Sequence, residues 1–110
     1  MTITREVLDS LRPLSKDPQI LTENGCEFVF LPELKVSGGT TVHIRDALLC
    51  PREMHGYPTR LFLSEPIPGR GQNWGQFMFF ARAWHSPSWR GVEATLSLPQ
   101  MLVAHLAAYR

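Results

Sequence analysis

Short apolar runs alternate with clusters of Pro, Gly and Asn along most of the chain, and this punctuation predicts strands joined by tight turns. Gln19-Ile20-Leu21-Thr22 reads as a first strand leading into Asn24-Gly25, a pair that tolerates the positive φ a type I′ hairpin turn requires. In the returning arm, 26–31, Phe28 and Phe30 fall on one face and Val29 and Leu31 on the other. Both faces are apolar, which predicts a strand covered on both sides. Pro32 is expected to stop it, and Ser37-Gly38-Gly39 to turn the chain. A third strand begins at Thr41-Val42-His43-Ile44 and continues through Leu48 and Leu49, and Leu61-Phe62-Leu63 makes a fourth. Sequential strands with short connections predict a four-stranded antiparallel meander.

The two ends of the chain carry helical spacing instead. Val7, Leu8, Leu11 and Leu14 give one apolar face on a short helix that Pro13 interrupts. Near the other end, Ser97 followed three residues later by Gln100 is a capping-box pattern, with Pro99 in the first turn. A helix is therefore expected from about Ser97 to Tyr109. Its stripe of Leu98, Leu102, Leu106 and Tyr109, with Met101 beside it, would pack on the sheet. The fold class is α+β. The Pro- and Gly-rich stretch 66–73 reads as an irregular loop, whereas Phe77-Met78-Phe79-Phe80 fits either a buried strand or one wall of a helix.

Composition narrows the function more than the fold. A chain of 110 residues, 44% hydrophobic and 19% charged, suits one domain over 1–110 with one core. Its formal net charge of +1 and scattered Arg residues give no basic field, so nucleic acid is not an expected partner. Cys26 and Cys50 lack Cys-x-x-Cys spacing, and no signal segment precedes them, which points to a reducing, cytoplasmic setting. No apolar run approaches the roughly 18 residues of a membrane span. His43, His55, His85 and His105 lack metal-ligand spacing, so neither a metal nor a cofactor is expected.

The connection between the third and fourth strands has a defined shape. In Met54-His55-Gly56-Tyr57-Pro58, Gly56 permits positive φ and Pro58 pushes Tyr57 toward an extended conformation, so the ring of Tyr57 is aimed. A strand, Gly56-Tyr57-Pro58, and a strand leading to Pro66 resemble the central hairpin of the ubiquitin-conjugating (E2) superfamily. Ala81-Arg82-Ala83-Trp84 and Trp89-Arg90-Gly91-Val92, followed by an apolar C-terminal helix, are similar to the tail of a bacterial E2-like family. The resemblance runs from about Gln19 to Tyr109. It implies a UBC-like fold, and as partners a ubiquitin-like protein and its E1-like activating enzyme. It also places 72–83 outside the main sheet, as a short helix or irregular segment.

The same resemblance exposes a gap in the chemistry. If Trp89 is the tryptophan before the C-terminal helices, the cargo-bearing cysteine should fall near Phe80, Ala81 or Arg82, none of which is a thiol. The superfamily's His-Pro-Asn signature is absent too. The implied role is a non-catalytic E2-like protein, with Tyr57, Pro58, Trp84, His85 and Trp89 as its candidate binding residues. Trp84 and Trp89 serve equally well as a lid on the core or as a partner platform. The alternative is an active enzyme carrying cargo on Cys50 as a thioester, or on Ser86 or Ser88 as an oxyester. A Cys before Pro51 at the end of an apolar strand is ordinarily inert, and a nucleophilic Ser needs a positioned base.

Overall fold

Asn24 and Gly25 take φ of 51° and 77°, the left-handed turn that the sequence calls for. They join β1 (Gln19–Glu23) to β2 (Cys26–Gly38) in the computed structural model, which describes residues 4–38, 41–54, 56–67, 74–87 and 92–109. β3 (Thr41–Cys50) and β4 (Arg60–Leu63) continue the meander in sequence order. β2 is longer than expected. Pro32 does not end it but lies in a bulge between Leu31 and Leu34, where Glu33 adopts φ of 51°. The bulge spares Pro32 a ladder donor that it lacks, and its carbonyl accepts from the Ser15 hydroxyl (2.7 Å) and the Lys16 N–H (3.2 Å). Ser37 and Gly38, expected in the turn, still belong to the strand.

Among the described residues the sheet has six strands, not four, in the order β1-β2-β3-β4-β6-β5. β5 (Trp74–Phe79) and β6 (Arg82–Pro87) form a hairpin in which β6 pairs with β4, so the expected helix or irregular segment over 72–83 is overturned for 74–83. Residues 72 and 73 lie outside the described residues. The physical reason is a period of two: Phe77 and Phe79 turn inward while Gln76 and Met78 turn outward. Phe80, which made the run look continuous, belongs to the turn.

Two apolar clusters flank the sheet. On one face Val29, Leu31, Leu34, Leu49, Leu61 and Leu63 pack against Leu11, which follows α1 (Arg5–Asp9), and against Leu98, Met101 and Leu102 of α2 (Leu98–Leu106). α2 starts with the capping box: Ser97 N–H donates to Gln100 Oε1 (3.3 Å) and Gln100 N–H to Ser97 Oγ (3.4 Å). A single 3-10 turn, Ala107–Tyr109, ends the fold and stacks Tyr109 on Trp74, centroids 5.8 Å apart. No helix among the described residues is long and apolar enough to cross a membrane.

Phe28, Leu48, Cys50, Phe62 and Trp84 form the core of the opposite face, with Phe30, Phe77, Phe79 and Phe80 packed around them. That face is strongly concave. β2 and β5 are four strand spacings apart, roughly 19 Å in a flat sheet, yet the Phe28 and Phe79 ring centroids lie 5.0 Å apart. The Glu23 carboxylate at the end of β1 accepts the Phe80 N–H at 3.1 Å, tying the β5–β6 turn to the first hairpin.

That turn carries strain, because Phe80 and Ala81 both sit at positive φ (54° and 56°), at about 1–2 kcal/mol for each non-glycine residue. Phe80 is compensated by the bond to Glu23 and by its edge contact with Phe28, 5.7 Å between centroids. Ala81 is exposed. Ala81→Gly is therefore expected to raise stability by about 0.5–1 kcal/mol, since relief of strain outweighs the added freedom of the unfolded chain. The urea unfolding midpoint measures the change, and a lower midpoint would contradict the turn geometry.

Candidate functional site

The β3–β4 connection closes as a miniature hairpin in which Met54 and Tyr57 exchange backbone hydrogen bonds of 2.9 and 3.0 Å. Gly56 takes φ of 84° and donates its N–H to Glu53 Oε1 at 3.1 Å. This geometry delivers the Tyr57 ring inward, leaving it 9% exposed, with the Arg60 guanidinium carbon 4.3 Å from its centroid. Pro58 is half-buried behind it.

Arg60 is the chemistry that sequence reading missed. Only 5% exposed, it lies over the Tyr57 ring, over Phe77 (4.5 Å) and near Phe62 (5.5 Å), and its Nε–H donates to Ser86 Oγ at 3.0 Å. Burial lowers its proton affinity, an effect opposed by Tyr57, and a guanidinium stays charged nonetheless. Ring faces solvate it with their negative quadrupoles.

Ser86 is buried, and its hydroxyl donates to the Leu61 carbonyl at 2.8 Å while accepting from Arg60. Its proton therefore ties β6 to β4. His85, half-buried, points to the opposite face of the strand and cannot act as its base. Cys50 is fully buried, its Sγ–H donates to the Arg52 carbonyl at 3.5 Å, and burial pushes the thiol pKa up. A buried thiol held in its protonated form is a poor nucleophile. Trp84 is buried in the core: its Nε1–H donates to the Phe79 carbonyl (3.1 Å), and its ring meets Phe30 edge-on and lies beneath Arg82 at 4.7 Å. Ser88, Trp89 and His55 lie outside the described residues.

A second polar chain crosses the other face. Thr59 Oγ1 donates to the Val92 carbonyl at 2.9 Å and lies 2.8 Å from His105 Nε2. With the Thr59 proton given to Val92, the network assigns the remaining proton to His105 Nε2, which then donates to Thr59. Nothing local to Thr59 or Arg60 in the sequence signals partners decades of residues away.

Open surface is found elsewhere. A cleft of about 360 Å³ lies between the turn after α1 and the half of β2 beyond its bulge, lined by Arg12, Lys16, Glu33, Lys35 and Ile44 among others. Lys16 pairs with Glu33 (3.3 Å) and Arg12 with Asp9 (2.9 Å), whereas Lys35 extends into solvent. Ile44 and Val42 on the adjoining strand are half-exposed or more. β1 pairs only with residues 26–30 of β2, so it does not cover this half of the strand. The cleft thus offers apolar contact with excess positive charge, suited to an acidic, partly apolar segment of another protein. Among the described residues, no three His, Cys, Asp or Glu gather to hold a metal ion. Comparison of the chain with protein-family models, with curated protein sequences and with solved structures finds no match.

The buried histidine gives the site region a pH signature. Burial lowers His105 from 6.5 to about 4, so between these values the unfolded chain binds the extra proton and the folded protein does not. Stability from this group is complete above pH 6.5 and is lost as pH falls toward 4, by about 3 kcal/mol. Urea titrations from pH 7 to pH 4 should show a loss larger by that amount in the parent protein than in His105→Gln. Parallel profiles for the two proteins would contradict the assignment.

Proposed function

We propose that the chain is a non-catalytic, E2-like binding module of a bacterial conjugation system, one that holds a ubiquitin-like protein, its E1-like activating enzyme, or both. The observation that carries this reading is the state of the candidate nucleophiles within the described residues. Cys50 and Ser86 are buried, and their protons are given to the carbonyls of Arg52 and Leu61. Loading either with cargo requires opening the sheet where β3, β4 and β6 meet. The sequential β1–β4 meander followed by a C-terminal helix supports the UBC-like expectation, while the β5–β6 hairpin is an addition to it.

Burial of Tyr57 and Trp84 moves the expected binding surface away from them and toward the basic cleft. Lys35 on β2 and Ile44 opposite it on β3 would meet the partner first. Pro58 and His85 remain half-buried residues at the margin of the aromatic core.

Intact-mass spectrometry of the protein mixed with its cognate activating enzyme, ubiquitin-like protein and ATP tests the reading. No covalent adduct is expected, while one of the two proteins co-purifies and its affinity falls about tenfold, or 1.4 kcal/mol, in Lys35→Glu. A thiol-sensitive adduct lost in Cys50→Ala would overturn the proposal in favour of thioester transfer. A thiol-resistant one lost in Ser86→Ala or Ser88→Ala would point to an oxyester.

A further inference from the structure

β5 lies at one end of the sheet, and within the described residues it pairs with β6 alone. Natural edge strands are blunted by charge, proline, bulges or covering segments, because their open backbone groups recruit other strands. The other open edges here have such devices. β1 ends in Glu23, whose carboxylate is engaged by Phe80, and the uncovered half of β2 carries Lys35 beyond the Pro32 bulge. β5 has none: Trp74-Gly75-Gln76-Phe77-Met78-Phe79 contains no charge and no proline, and its register with β6 runs unbroken from Trp74 to Phe79.

The turn at Phe80-Ala81 sets which backbone groups face outward. In a two-residue hairpin Phe79 and Arg82 form the closing hydrogen-bonded pair, so alternation turns Phe77 and Gly75 toward β6 and leaves Met78, Gln76 and Trp74 on the open edge. No described residue bonds to the outward backbone groups of Gln76 and Met78. Their side chains share one face, where Trp74 is stacked on Tyr109, Gln76 is exposed and Met78 is 64% exposed.

We propose that this edge is a self-association surface, on which β5 pairs antiparallel with β5 of a second copy about a two-fold axis at Gln76. In a two-fold contact each residue i meets j while j meets i, so Gln76, midway along the outward set, falls on the axis. Gln76 meets its own copy at the axis, and each exposed Met78 lands opposite Trp74 of the other copy, where a thioether packs well on an aromatic ring. The axis residue is neutral, and a net charge of +1 opposes approach only weakly, so the strand's nearest complement is itself. One strand pair is a small interface, so the dimer is weak and concentration-dependent. It does not depend on the functional reading above.

Sedimentation equilibrium of the full chain, up to about 1 mM, covers the range in which interfaces this small associate. The expected mass rises from 12.5 kDa toward twice that value. Gln76→Lys and Gln76→Glu, exposed changes that should leave the far-ultraviolet circular dichroism unaltered, each place like charges at the axis and weaken the dimer at least about tenfold. An equimolar mixture of the two should restore it. A monomer at every concentration overturns the proposal, as does a dimer indifferent to Gln76→Lys, or a mixture that stays monomeric.

Discussion

β4 has only four residues, Arg60–Leu63, and every one of them is buried. Such a strand must satisfy two interiors at once, and the rest of the fold is arranged to let it. Leu61 and Leu63 meet the helical side, where Leu98, Met101 and Leu102 of α2 cover them. Arg60 and Phe62 turn to the concave side, where a charge would be costly without the three rings and the Ser86 hydroxyl gathered around it. Thr59, one residue earlier, anchors α2 through His105 and the segment before it through Val92.

This arrangement also fixes the surroundings of Ser86 and Cys50, both of them buried. A nucleophile needs an accessible atom, a base and room for the attacked group. The Ser86 hydroxyl instead bonds the Leu61 carbonyl across β6 and β4, where its release would leave a buried acceptor without that donor, and the Cys50 thiol is buried and donates locally to the Arg52 carbonyl. Trp84 and Tyr57 are buried as well, the one within the aromatic core and the other with its ring against Arg60. Outside both cores the surface includes the basic cleft beside β2 and the uncharged edge of β5.

What was legible in the sequence is what local physics controls. Asn24-Gly25, the Ser97–Gln100 capping box and Gly56-Tyr57-Pro58 each encode their geometry within a few residues, and each forms as expected. The β5–β6 hairpin was hidden because Phe77, Met78, Phe79 and Phe80 are all apolar, so a period of two looked like a continuous run. Its turn also uses Phe80 and Ala81 in place of the Asn or Gly that would have announced it. Arg60 with Ser86, and Thr59 with His105, were unreadable for another reason. These pairs are 26 and 46 residues apart in the chain, and only the sheet topology brings them together.

Cys50 is fully buried at the end of β3, and its thiol reports directly on how tightly the sheet closes around it. Its rate of alkylation by a maleimide, followed against urea and compared with that of the half-buried Cys26, gives the free energy of the opening that exposes it. Cys50 is expected to react only through global unfolding, with a protection equal to the unfolding free energy and the same urea dependence, while Cys26 reacts earlier through local opening of its hairpin. Alkylation of Cys50 in native conditions, independent of urea and as fast as that of Cys26, would contradict it.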